Sequence, residues 1–492
     1  MTAHQLIGRI VDPGSFVRWD RPLDARPADP GYRAALARAR ERSGLDEAVT
    51  TGRALLAGRP VALIASEFAF LGGSIGVATA ERITLAVERA TAERLPLVAL
   101  PVSGGTRMQE GAAAFLCMVR VTAAVQAHQA AGLPYLTYLR NPTMGGVFAS
   151  WGTLGHLVLA EPGARLGFLG PRVYEQLRGE PLPPDVQLAE TLAARGLLDA
   201  VVPQERLREV LRLALDVLAG TPTTEPAPPA PAPRPSPPDP WDAVRRTRRT
   251  DRPGARQLLD HAGQGVLTLA GEGALVRALA RFGGRPAVVV GQQRQDGDAP
   301  RPFTAAELRL VRRSARMAEQ LGLPLVTLVD TAGAELSARA ELDGIAVEIA
   351  QCLATLVGLA TPVLAVLLGQ GSGGGALALL PADRVLAAEH AWLAPLPPEG
   401  ASAIVHRDGD HAAELARAQG IGAADLAAAG LVDQVIAELP DAAEEPAAFC
   451  ARVGAAVAAA LTDLAAQPHP GRLRTRAHRH RHLGGPPPTD AG

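Results

Sequence analysis

Short apolar, β-branched runs recur along the chain, each closed by glycines or small polar residues and followed by a stretch of helical periodicity. In the first half this pattern predicts strands at Val61–Ala65, Leu97–Pro101, Tyr135–Leu139 and Leu157–Ala160. Between and after them it predicts helices over Ala80–Arg94, from Gly111 to about Gln129, over Phe148–Gly155 and over Leu207–Leu218. In the second half it predicts strands at Val288–Val290, Leu325–Asp330, Val363–Leu368 and Arg384–Ala387. The helices expected there are Ala305–Leu321, Ile345–Leu359, one starting at Ala376, Ala412–Ala418, Ala423–Ala429 and Ala447–Leu464. Before Val61, Pro13, Pro22, Pro27 and Pro30 imply irregular chain, then a charged surface helix over Tyr32–Arg42. Buried strands alternating with helices define an α/β fold class.

The pattern occurs twice. LPLVALPVSGGT (Leu95–Thr106) matches LPLVTLVDTAGA (Leu323–Ala334), GRPVALIA (Gly58–Ala65) matches GRPAVVVG (Gly284–Gly291), and GLLDAVV (Gly196–Val202) matches GLVDQVI (Gly430–Ile436). The spacing is far too long for a solenoid, so each half reads as one copy of a large domain. Ten prolines in Thr221–Pro240 mark an extended linker between the copies. The domains expected are 1–220 and 241–465, joined by the linker 221–240 and followed by a basic, disordered tail, 466–492.

Composition narrows the chemistry. Formal net charge is −1 over 492 residues, which gives no reason to expect nucleic acid as a partner. Every apolar run long enough to span a membrane is interrupted by charges or turn residues, and the N-terminus lacks a secretory pattern; the expectation is a cytoplasmic protein. Cys117, Cys352 and Cys450 are too scattered for a disulfide framework. Histidines approach metal-ligand spacing only at His478, His480 and His482, so no bound metal is expected. The chain has no lysine, its 49 basic residues all being arginine. That excludes a P-loop lysine, a Schiff base, and a biotin or lipoate arm on this polypeptide.

The candidate chemistry lies where the apolar runs meet glycines. LPYLTYLRNPTMGG ends at Gly145-Gly146, and TPVLAVLLGQGSGGGA ends at Gly375-Ala376. A strand that turns sharply into a helix aims backbone N–H groups at whatever lies above it, an oxyanion-stabilising arrangement. Ser103, Gly104, Gly105 and Arg107 form a second turn that could hold a phosphate or a thioester, or else a turn whose arginine is paired internally. Asp330 in the matching DTAGA turn reads as a helix cap rather than a general base. Gly369–Gly374 satisfies GxGxxG formally, but sits deep in its domain. Ser372 misses the GxSxG elbow because Gln370 replaces its first glycine.

Several longer motifs carry a resemblance. FAFLGGSIG (Phe68–Gly76), SGGTRMQEG (Ser103–Gly111), NPTMGGVFASW (Asn141–Trp151) and AEPGARLGFLGPR (Ala160–Arg172) resemble the β subunit of acetyl-CoA carboxylase carboxyltransferase. DTAGAELSARAE (Asp330–Glu341), GQGSGGGALALLPADRVL (Gly369–Leu386) and PPEGASAIVHRD (Pro397–Asp408) resemble its α subunit. The whole resembles a fused β–α carboxyltransferase of actinobacterial type. The resemblance implies two crotonase-like domains with repeated ββα units, and transfer of a carboxyl group from carboxybiotin to acetyl-CoA, giving malonyl-CoA. It implies biotin on a separate carrier, with biotin carboxyl carrier protein and biotin carboxylase as partners, and a homodimer or higher oligomer.

It also implies two oxyanion sites, Gly145-Gly146 for the thioester and Gly375-Ala376 for biotin. Gly72, Gly73, Ser103, Gly104, Gly105, Arg107, Gly333 and Gly374 are the substrate-binding candidates. The four-cysteine zinc ribbon of many β subunits is missing. Gln370 stands where α subunits carry glutamate, and Pro397 where many carry serine, changes that bear on the acyl group accepted. Other acyl-CoA acceptors such as propionyl-CoA, decarboxylation of a malonyl thioester, and a silent acyl-CoA-binding subunit remain the alternatives.

Overall fold

A computed structural model describes residues 1–21, 29–223, 237–271, 273–292 and 301–481. Most of the proline-rich linker and the end of the tail, with His482, lie outside the described residues. The chain divides into two compact units, Met1–Ala219 and Gly220–Gly492.

The first unit is built on a seven-stranded sheet in the order Val17–Arg18, Val49–Leu56, Arg59–Ser66, Leu97–Leu100, Tyr135–Leu139, Leu157–Ala160, Ala200–Val201. The first three strands are antiparallel and the others run parallel. The second unit repeats this with Gln264–Leu269, Leu275–Phe282, Arg285–Gln292, Leu325–Thr331, Val363–Ser372, Arg384–Ala388 and Gln434–Ile436. The central parallel strands start at Leu97 and Tyr135 in one unit and at Leu325 and Val363 in the other, 228 residues apart in both cases. These strands are buried along their whole length, as parallel strands covered on both faces must be.

The antiparallel strands Val49–Leu56 and Leu275–Phe282 went unread in the sequence. Each breaks its apolar run with polar residues, and in the second unit one of these, Arg277, is fully buried. Its guanidinium donates to the Ser314 hydroxyl and the Ala270 carbonyl. The N-terminus is helical over Ala3–Ile10, with a capping box between Thr2 and Gln5, where irregular chain was expected.

The tail also departs from expectation. His469–His478 is a helix, with Arg472 and Arg476 buried. Arg476 pairs with Asp383 and donates to the carbonyls of Leu356 (2.8 Å), Leu359 (2.7 Å) and Thr361 (2.9 Å). These carbonyls terminate the Ile345–Gly358 helix and lead into Val363–Ser372, whose first N–H is held by Asp383. Basic composition suggested solvation, but arginines four residues apart share one helix face.

Among the described residues two helices, Met108–Ala130 and Pro446–Ala465, reach the range of a membrane span by length and apolar composition, where the apolar pattern gave no reason to expect one. Pro446–Ala465 packs Val453, Val457 and Leu461 into the second unit as a core helix. The other lies beside Val77–Ala92. Among the described residues no group of His, Cys, Asp and Glu is arranged to hold a metal ion, and the three cysteines are free.

A buried imidazole ties the start of the Tyr135–Leu139 strand to the chain leading into Leu157–Ala160. His156 Nδ1 accepts from the Tyr135 backbone N–H at 3.0 Å, and the backbone N–H of His156 donates to the Tyr135 carbonyl. Burial, helped by nearby His128, pulls the His156 pKa down from 6.5 to about 4. The native state therefore keeps His156 neutral, while the unfolded chain protonates it near 6.5. This contribution to stability is complete above pH 6.5 and is lost as pH falls toward 4, a change of about 3 kcal/mol. His156→Asn keeps an acceptor for Tyr135 without titrating. Its stability, measured by urea unfolding, should fall less than that of the wild type between pH 7 and pH 4.5; equal losses would show that His156 does not titrate on unfolding.

Candidate active site

Both candidate turns sit at the C-terminal ends of the central parallel strands, the edge where α/β folds bind ligands. In the first unit the chain leaves Tyr135–Leu139, pairs briefly at Thr143–Met144 with Leu166–Gly167, and turns at Gly145 (φ +60°) into a single helical turn, Gly145–Phe148. In the second it leaves Val363–Ser372 and turns at Gly373 (φ +55°) into Gly373–Leu377. The helix expected to start at Ala376 thus starts at the glycines themselves, while the one expected over Phe148–Gly155 is absent: the single turn ends at Phe148 and turns follow it. A residue at positive φ reverses the chain at once, and glycine does so without strain.

This changes the pairing. The fold matches Gly145 and Gly146 with Gly373 and Gly374, not with Gly375 and Ala376. Gly375 and Ala376 are the next two residues of the same turn and are buried, whereas Gly145, Gly146, Gly373 and Gly374 are partly open. The first N–H groups of each turn have no acceptor within it.

A glycine loop supports each turn. Gly105 (φ +116°) lies against Gly145: a Cβ on Gly145 would come within 3.3 Å of the Gly105 Cα. Ser103 Oγ accepts from the Gly105 N–H at 3.0 Å, the Ser103 carbonyl accepts from Met144, and the Gly72 carbonyl accepts from Gly104. Gly73 lies so close to Val102 that a Cβ would overlap its carbonyl. Gly72, Gly73, Ser103, Gly104, Gly105, Gly145 and Gly146 are therefore one contiguous patch. In the second unit Thr331 Oγ1 accepts from the Gly333 N–H (3.1 Å; φ +125°), repeating the Ser103–Gly105 contact, and Gly333 lies against Ser372.

Arg107 does not join the patch. It is 1 % exposed, pairs with Glu47 at 2.6 Å and with Glu110, and donates to the Tyr32 hydroxyl, Thr79 Oγ1 and the Ser74 carbonyl. Its carboxylate and phenol partners, led by Glu47, raise its pKa against the opposing effect of burial. Tyr32, buried and bonded to Glu110, is pushed up to about 12. The internally paired reading of Arg107 replaces the phosphate-binding one. Asp330 is likewise not a helix cap: it lies within the Leu325–Thr331 strand and accepts from the Gln370 N–H. Ser372 is buried, as a serine inside a strand should be.

Of the other neighbours of the turns, Thr106 and Ala334 close the matched motifs, whereas Met118 and Ile349 carried no sequence signal. A Cβ on Gly146 would meet Thr106 Oγ1 at 3.0 Å and Met118 Cγ at 3.3 Å; one on Gly374 would meet Ile349 Cδ1 at 2.6 Å and the Ala334 methyl at 3.8 Å. The first turn thus has a hydroxyl where the second has a methyl. The matched motifs already align Thr106 with Ala334; the structure adds that both lie beside the turns. On the helices and loops next to the turns, Met108, Phe115, Leu116 and Val119 in the first unit and Leu336, Leu342 and Val347 in the second are more than half exposed.

A duplicated α/β unit whose parallel strands end in supported glycine turns has the crotonase-like fold. Transcarboxylase 12S shares it, with a TM-score of 0.77 and 24% identity over 95% of this chain and 90% of that one. Residues 1–474 match the carboxyl transferase domain family. The chain is 57% identical over 491 residues to the probable biotin-dependent acyl-coenzyme A carboxylase beta3 subunit of Mycobacterium bovis, covering 99% of both. It is 41% identical to the acetyl-coenzyme A carboxylase carboxyl transferase subunits beta/alpha of Salinispora arenicola, covering 98% of this chain and 91% of that one. The chain belongs to the carboxyltransferase family.

Proposed function

We propose that the protein moves a carboxyl group from carboxybiotin, borne on a separate carrier protein, to the α-carbon of an acyl-CoA, with acetyl-CoA to malonyl-CoA as the reaction to test first. The observation that carries this reading is the pair of matched glycine turns. Carboxybiotin supplies the carboxyl group and, as carbon dioxide leaves, a nitrogen that takes the α-proton. Negative charge then develops at two oxygens, the thioester enolate and the biotin ureido oxygen. Two sets of fixed backbone N–H donors answer that need. The Gly145-Gly146 turn faces the thioester in this reading, and the second turn, from Gly374 through Gly375 and Ala376, faces biotin. Gly72, Gly73, Ser103, Gly104, Gly105 and Gly333 support the two turns and shape the approach. Gly145 and Gly105 both sit at positive φ, and a Cβ on Gly145 would crowd the Gly105 Cα at 3.3 Å, so both positions favour glycine, which suits close approach of a ligand to backbone.

The chain has no lysine to bear biotin, so a biotin carboxyl carrier protein and a biotin carboxylase are the partners this reading requires. The exposed apolar side chains beside each turn are surfaces for acyl-CoA, for the carrier, or for a second copy of the chain, in keeping with a homo-oligomer in the cytoplasm. Relatives at 57% identity are described by acyl-coenzyme A and those at 41% by acetyl-coenzyme A, so propionyl-CoA is the alternative acceptor.

The test is the reverse reaction, malonyl-CoA with biocytin, following release of acetyl-CoA. Biocytin-dependent release supports the transferase. Release that ignores biocytin makes the protein a decarboxylase, and binding of acyl-CoA without any turnover makes it a silent subunit.

A further inference from the structure

The strand that delivers the second turn is irregular just before it. Leu325–Thr331 and Val363–Ser372 pair in parallel register up to Val329 and Leu367, then resume at Thr331 and Gly371. Between these pairs a single residue, Asp330, faces Leu368, Gly369 and Gln370. The strand therefore carries a two-residue bulge, and its backbone groups need partners other than the ladder.

Two buried charged side chains supply them. Asp330 Oδ1 accepts from the Gln370 N–H at 2.9 Å, and Arg252 Nη2 donates to the Leu368 carbonyl at 3.1 Å. Arg252 is itself fixed by Glu438, at 2.6 and 2.5 Å, and by Asp441 at 3.3 Å, all fully buried. From Gln370, the last residue of the bulge, the strand takes a new neighbour and pairs with Trp392–Ala394 at Gln370, Gly371 and Ser372, immediately before Gly373. The bulge thus sets the direction in which the chain enters the turn. The first unit fills the same stretch with other groups: the Arg140 N–H donates to the Pro101 carbonyl, the Asn141 N–H to the Glu161 carboxylate at 3.0 Å, and Thr143 Oγ1 to the carbonyls of Pro101 and Arg140.

We propose that Asp330 and Arg252 are positioning residues for the second turn, filling the bulge so that the N–H groups after Gly373 point in one direction. Neither touches substrate. The assignment of that turn to biotin rests on the function proposed above; the positioning itself does not.

Two measurements separate them. Amide hydrogen exchange, followed by mass spectrometry on the whole chain, should speed up about tenfold across the Gly369–Leu377 segment in Asp330→Ala, with Tyr135–Phe148 unchanged. Asp330→Asn, which retains an acceptor, should restore most of the protection. Unchanged exchange in Asp330→Ala overturns the proposal, as does equal loosening of both segments. In the reverse reaction, a misdirected turn should raise the KM for biocytin by about tenfold or more and leave the KM for malonyl-CoA within about twofold. If both KM values move together, the positioning role is wrong. Should Asp330→Ala fail to fold, Gly369→Ala makes the same test, because its Cβ would lie 2.6 Å from Asp330 Oδ1 and displace the carboxylate. A wild type that ignores biocytin refutes the function and leaves the exchange result to decide the positioning.

Discussion

Replacing Gly146 with proline should lower biocytin-dependent turnover by about 10²–10³-fold, the usual cost of losing one donor to a developing oxyanion. Proline removes a single N–H, and at the second residue of a helical turn its ring meets no carbonyl that the turn needs. The new Cβ would lie near Thr106 Oγ1 and the flexible Met118 side chain, both able to yield by a few tenths of an ångström. Gly374→Pro makes the corresponding change in the second unit, against the movable tip of Ile349. The two variants are compared with wild type by initial rates at saturating malonyl-CoA and biocytin, with thermal midpoints and circular dichroism as controls. Near-normal turnover in either folded variant removes that turn from the chemistry. Loss in one variant alone would leave the reaction with a single oxyanion site and overturn the two-turn mechanism.

Arg107→Met should destabilise the first unit by about 3–5 kcal/mol, since it leaves buried Glu47 without its cation. Glu110 and the Tyr32 hydroxyl lose the same partner. Arg107→Lys should recover only a part, because one ammonium cannot reach Glu47, Tyr32, Thr79 and the Ser74 carbonyl together as the guanidinium does. Tryptophan fluorescence during urea unfolding reports it: Trp19 and Trp151 belong to the first unit, Trp241 and Trp392 to the second. The transition of the first unit should move to lower urea. An unmoved midpoint would mean that this ion-pair cluster contributes little to the unit, and would reopen Arg107 as a ligand group.

Why was Arg107 ambiguous in the sequence, when Tyr135–Leu139 was not? Five buried residues bounded by turn signals announce a strand by themselves. The role of Arg107 depends on Glu47 and Tyr32, residues 60 and 75 positions away. The same contrast runs through the molecule. The duplication, the central strands and the glycines at their ends were legible because each is local and occurs twice. Matching Gly145 with Gly373 rather than Gly375 needed backbone angles, since GSGGGA offers three consecutive glycines and only φ shows which one reverses the chain. Met118 and Ile349 reach the turns from elsewhere in the chain, and nothing in their own surroundings marks them. Asp330 looked like a cap because it follows a strand and precedes small residues; the bulge opposite it is a property of two strands together.

The C-terminal helix imposes an order on synthesis. The first unit is closed by Gln204–Leu218, whose leucines are all within the first half of the chain. It can reach its final form while the rest is still being translated. The second unit cannot. Until Arg476 has left the ribosome, Asp383 and the carbonyls of Leu356, Leu359 and Thr361 lack the guanidinium that joins them. The strand that enters the second turn begins two residues after Thr361. The His469–His478 helix therefore completes a segment made more than a hundred residues earlier. A ribosome that stalls or terminates just short of it would release a chain with one finished unit and one unfinished.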